Sequence, residues 1–236
     1  MKNRPLFVVL VALFFYSLSN YGGIRSPDGE VVFRTAQSLS TTRSFSIEKD
    51  LPWSGFGMPR GLDGKRYSIF GPGQAILAVP LVLFAKHIPW PDTWHIPTSH
   101  YVSAQSIKDY FQGRRAKPKK AHRIRFFTSF FNSFVGAITV LLFWFVAKEA
   151  TGCEKGALFA QVSFAFGTVF WHYAGTFFSE PLATAFTLAA LYFLLLFRRD
   201  GKWQQGALSG FFLGLATTVH LTAILFSPFY LFFLFR

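Results

Sequence analysis

The sequence predicts an all-α integral membrane protein with about six transmembrane helices, plus interfacial helices in a long first outer loop. Three observations predict it. Hydrophobic residues make up 51% of the 236, and 32 residues are Phe, so several unbroken apolar runs approach the ~20 residues that cross a bilayer core. The formal net charge of +13 gathers at the ends of those runs, where anionic headgroups and the positive-inside rule account for it. No soluble stretch interleaves aromatic and basic residues, so membrane lipid is the expected partner and nucleic acid is not. The one cysteine, Cys153, excludes an internal disulfide framework.

Taken in order, the chain reads as one module over residues 1–236. Residues 5–20 form the first transmembrane helix, held with its N-terminus inside by Lys2 and Arg4. Residues 21–125 form the outer loop. Within it, Ser26-Pro27-Asp28-Gly29-Glu30 is a helix start: Ser26 caps, Pro27 takes the first position, and acids fill the first turn. Val32, Ala36 and Leu39 then share one face, which predicts a short helix lying in the interface. A second apolar segment, 71–86, opens with Gly71-Pro72-Gly73 and carries Pro80; it is short for a span. The basic run 114–125 suits lipid headgroups or solvent. Residues 126–236 form a helical bundle, with apolar runs at 126–147, 156–173, 181–197, 206–219 and 221–235. The chain stops at Arg236 straight after an apolar run, and it is expected to be incomplete.

Two acids stand out. Glu180 sits in the polar interruption of the apolar stretch 165–191, followed at once by Pro181; Asp28 opens the first loop helix. An ionisable group at the edge of hydrocarbon is costly unless it faces a wet cavity or a partner, which makes it a functional candidate. The bland alternative for each is a helix-start acid that satisfies the helix dipole. If 71–86 spans, the two acids lie on opposite sides of the membrane; if it lies in the interface, both are outside with His220. Loop charges divide between these topologies.

The order of motifs resembles the N-terminal half of the GT-C superfamily of polytopic membrane glycosyltransferases. It comprises an apolar helix, S-P-D-G-E opening a helix at Ser26, and Y-x-x-x-G-P-G-Q-x-x-L from Tyr67. S-E-P at Ser179 and G-x-x-L-G-L-A from Gly210 follow, before His220. The resemblance implies an essential acid in the first outer loop, matching Asp28, and a second acid in the next, matching Glu180. It also implies a juxtamembrane helix at 71–86, which favours the interfacial topology, and a polyprenyl-phosphate-linked sugar donor. The implied reaction is transfer of a hexose or pentose at the outer face of a bacterial inner membrane, in cell-envelope assembly. Asp28 would be the general base and Glu180 would orient the acceptor, or the two would share a divalent cation. Lys65, Arg66 and His220 would stabilise the leaving phosphate. The chain departs from the pattern in lacking a Lys-Pro-Pro-like entry to the juxtamembrane helix. It also lacks the acidic pairs of the protein O-mannosyl- and oligosaccharyltransferases, which argues against either branch. The alternatives are a transporter or flippase subunit, or a non-catalytic membrane-protein fragment.

Overall fold

A computed structural model describes residues 3–24, 26–47, 57–89 and 120–235. Lys2, Arg236 and the 114–119 part of the basic run lie outside the described residues. Every regular element among those residues is helical, and β pairing is limited to isolated bridges of Arg66 with Ile47 and Arg60. In chain order the α-helices are α1 (Arg4–Leu18), α2 (Pro27–Thr42), α3 (Pro72–His87), α4 (Lys120–Ser129), α5 (Phe131–Thr151) and α6 (Glu154–Gly167). They continue with α7 (Phe170–Ala174), α8 (Glu180–Asp200), α9 (Trp203–Val219), a 3-10 turn (Leu221–Phe226) and α10 (Ser227–Phe235).

Among the described residues two helical stretches are long and apolar enough to cross a membrane: 123–151, running through the turn at Phe130, and α8. Arg4–Leu18 and Leu221–Phe233 are apolar but shorter. The sequence expectation of about six spans is thus supported for two. The apolar runs are interrupted: 156–173 breaks at Thr168 and Val169 between α6 and α7, and 221–235 begins as a 3-10 turn.

The chain divides into two compact units. The first comprises Met1–Ser19, Asn132–Gly175 and Ser179–Arg236; the second comprises Asn20–Phe131 and Thr176–Phe178.

The first unit is a bundle built on small residues. Ala12, Tyr16, Val140, Ala165, Phe170 and Ala174 form its core. A Cβ on Gly136 would stand 2.9 Å from the Ala174 Cβ, so α5 approaches at backbone distance, as membrane helices do at small residues. Polar side chains tie the helices through backbone carbonyls. Tyr16 donates to Ala165 O at 2.9 Å, and the fully buried Gln161 donates to Pro5 O and Val140 O at 3.3 Å. Beside it, α8 and α9 form a hairpin about Gly201, whose φ of 68° is the left-handed conformation glycine adopts freely. Ser209 donates to Ala190 O at 2.9 Å, and the Phe193 and Phe212 rings stack 5.5 Å apart. Leu6, Phe7, Leu10 and Phe14 leave the outer side of α1 apolar and exposed, which suits lipid.

The second unit packs α2 and α3 over the core of Val31, Ile47 and Met58, with Phe70 against it. Lys86 donates to Ser40 Oγ at 2.7 Å, and Arg123 donates to Lys86 O at 3.2 Å, joining the far ends of α2, α3 and α4. The cap expected for α2 is present: Ser26 Oγ accepts from Gly29 N at 3.0 Å, with Pro27 at the first position. Its burial differs from the expected single face. Gly29 to Phe33 are buried without interruption, together with Thr35, Ala36 and Ser38, because α2 is enclosed by the rest of its unit.

Candidate functional site

Asp28 lies in the first turn of α2 and is half-buried. Ser26 already caps this helix, so Asp28 is not needed as a cap. No hydrogen bond or ion pair meets its carboxylate among the described residues, which leaves both oxygens available to an incoming group. The contrast with Glu30 is sharp. Glu30 is 3% exposed and is clamped from two sides. Arg34, one turn along α2, gives its Nε at 2.8 Å. Arg125 on α4 grips both oxygens, through Nε at 3.0 Å and Nη2 at 2.5 Å, and lies 5.1 Å over the Phe33 ring. Sequence reasoning missed this triad. The Glu30–Arg34 spacing was visible in the sequence as an i,i+4 pair, whereas nothing local pointed to Arg125.

Gln74 is a second residue that sequence reasoning missed as an individual, although it sits in the quoted G-P-G-Q motif. It occupies the first turn of α3, is fully buried, and donates through Nε2 to Phe177 O at 3.3 Å. Its Oε1 has no partner among the described residues. A buried acceptor left unmet costs about 1–3 kcal/mol, which the bond through Nε2 and the packing around the side chain must offset.

The phosphate candidates fare differently from one another. Lys65 is exposed, in a turn where its own N–H donates to Asp63 Oδ1 at 3.1 Å. The Tyr67 hydroxyl donates to Asp63 Oδ2 at 2.7 Å and is the first cause holding that carboxyl below its ordinary range. Arg66 is half-buried, and its Nη1 donates to Met58 O at 3.2 Å, so part of this guanidinium holds the loop together.

Glu180 and His220 belong to the first unit. Glu180 is the first residue of α8, behind Ser179, which makes no side-chain cap bond. Its Oε2 is buried without a partner among the described residues. His220 separates α9 from the 3-10 turn, and its Nδ1 meets Thr222 Oγ1 at 2.6 Å. A His at this break is therefore tied into the local turn by one nitrogen. Among the described residues no three His, Cys, Asp or Glu side chains come together to hold a metal ion.

The polar ends of the first unit sort by charge. Arg199 bonds both oxygens of Glu149 at 2.8 Å, which places the C-terminal ends of α5 and α8 together. Gln161 reaches Pro5 and Tyr16 reaches Ala165, so α1 runs in the same sense as α6. Arg4, Lys148, Lys155, Arg199 and Lys202 thereby share one end. Trp171 donates to Ser19 Oγ at 2.9 Å at the other, where α8 begins at Glu180 and the antiparallel α9 ends at His220.

Residues 125–236 match the family model of the dolichyl-phosphate-mannose-protein mannosyltransferases. No curated protein and no solved structure matches the chain. The matched model carries the name of a branch that the absent acidic pairs had argued against. Over residues 125–236 the match supports what the loop motifs indicated: the chain resembles the GT-C membrane glycosyltransferases that act with polyprenyl-phosphate sugars.

Proposed function

We propose that the protein transfers a sugar, a hexose or pentose, from a polyprenyl-phosphate donor to an acceptor at the outer face of a bacterial inner membrane. The observation that carries the reading is the state of Asp28. Its helix is capped by Ser26, the neighbouring Glu30 holds Arg34 and Arg125, and its own carboxylate has no hydrogen-bond or ion-pair partner among the described residues. A half-buried first-turn carboxylate with no side-chain partner among the described residues can serve the helix dipole and still accept a proton from a substrate hydroxyl, as a general base must.

In this reading Asp28 accepts the acceptor's proton as its oxygen attacks the anomeric carbon and the bond to the lipid phosphate breaks. Glu180, with one oxygen buried and unmet, orients the acceptor. Lys65, Arg66 and the imidazole of His220 meet the charge that develops on the leaving phosphate. A neutral His220 would do so only as a hydrogen-bond donor. The polyprenyl chain stays in the bilayer against apolar helix surfaces.

The test is transfer from a lipid-linked sugar by the protein, or its full-length parent, in membranes. Asp28→Asn should lower the rate by about 10²–10⁴ while leaving insertion and yield unchanged. Transfer at the wild-type rate would return Asp28 to a helix-dipole role and leave the transporter and structural alternatives.

A further inference from the structure

We propose that Gln74 is a positioning residue for Asp28, acting through the backbone carbonyl of Phe177; the inference rests on the reading of Asp28 given above. The carbonyl is held from two directions within the second unit. Gln74 Nε2 donates to it from α3 at 3.3 Å. On its other side is Gly29, where a Cβ would stand 3.1 Å from that oxygen, 3.1 Å from Ile24 and 2.8 Å from the capping Ser26 Oγ. The first turn of α2 is thus fitted against Phe177 with room for hydrogen alone. Asp28 is the residue before Gly29, so a shift of the carbonyl moves the backbone that carries the candidate base. Phe177 itself is 2% exposed, its ring edge-on to Phe131 at 5.9 Å. Only Phe178 and Ser179 separate it from Glu180 in the chain. The amide donor of Gln74 therefore bears on the backbone behind Asp28.

The chemistry demanded at position 74 is narrow. The group must be a donor at the end of a two-methylene stem, because turning Oε1 to the carbonyl would face two acceptors. Asn is too short to reach without moving α3, and Leu fills the space without a donor. Glu has the right length and shape but repels the carbonyl when ionised. When protonated it can donate, so this one substitution carries its own rescue.

The experiment compares Gln74→Leu and Gln74→Glu with wild type, and with Asp28→Asn, in membranes containing a polyprenyl-phosphate-linked sugar. The expected result is a fall in kcat on the order of 10–100-fold for both Gln74 variants, with KM for the donor within about twofold. The Gln74→Glu defect, expressed against wild type at the same pH, should shrink as pH is lowered, whereas that of Gln74→Leu should not. Amide exchange over residues 176–179 should quicken in both variants at neutral pH. If Asp28→Asn abolishes transfer and Gln74→Leu keeps wild-type kcat, the positioning role is overturned and the reading of the acids stands. A loss of yield or thermal stability that accounts for the lost rate, with no pH rescue, also overturns it in favour of a packing role. If the wild type transfers no sugar, or Asp28→Asn transfers normally, the functional reading fails and this inference with it.

Discussion

Asp28 and Glu30 stand two residues apart on α2, and their surroundings give them opposite fates. Glu30 holds two arginines in a nearly closed site, so Glu30→Gln leaves Arg34 and Arg125 without their counter-charge. Removing one partner from such a cluster should destabilise the fold on the order of 3 kcal/mol, read from denaturant unfolding in detergent. Asp28→Asn removes no contact, and the same measurement should move by less than about 0.5 kcal/mol. An equal loss of stability in both variants would show that Asp28 is a structural acid. In the sequence both are first-turn acids of one helix, and it was the motif resemblance that singled out Asp28. The sequence shows spacing along one helix, and it does not show that Arg125 crosses from an element 95 residues away.

At the scale of the elements, local chemistry was legible wherever the cause was local. The start of α2 followed from Ser26 and Pro27, whereas α8 runs three residues past the expected end of its apolar run at 197, to the left-handed Gly201. What escaped were boundaries with no sequence marker. The turn at Phe130 lies in the run Phe126-Phe127-Thr128-Ser129-Phe130-Phe131, which contains neither Gly nor Pro. The enclosure of α2 on most sides also escaped, because half of what covers it is donated by remote segments. Close packing at small residues makes a further test. Gly136→Ala would drive a methyl to 2.9 Å from the Ala174 Cβ, an overpacking that costs about 1–3 kcal/mol, visible as a lower melting temperature. Gly210 on α9 has nothing within 4 Å of a built Cβ, so Gly210→Ala should be neutral or stabilising by about 0.5–1 kcal/mol. If the two glycines respond alike, crowding at Gly136 is not what sets its identity.

At the scale of the molecule, the expected topology becomes a labelling experiment. Within the first unit, Cys153 and Arg199 lie at the basic end, and Glu180 and His220 at the other. The 21 residues of α8 separate these ends by roughly 30 Å, close to a hydrocarbon thickness. An impermeant maleimide applied from outside should therefore modify His220→Cys in a Cys153→Ser background and leave native Cys153 unmodified. Labelling of Cys153 from outside would reverse the assignment of the ends. The hairpin of α8 and α9 carries a consequence for how the chain enters a membrane. α8 meets the requirement for a span, while α9 has 17 residues and begins Trp203-Gln204-Gln205. Released alone from the ribosome, α9 would partition poorly into lipid. Joined to α8 through two residues, and with Ser209 bonded back to Ala190, it can be carried in as half of a pre-paired unit. In a translocon reporter α9 by itself should then remain largely unintegrated, whereas α8–α9 should integrate together, so that the last helices are threaded by their predecessor and not by their own hydrophobicity.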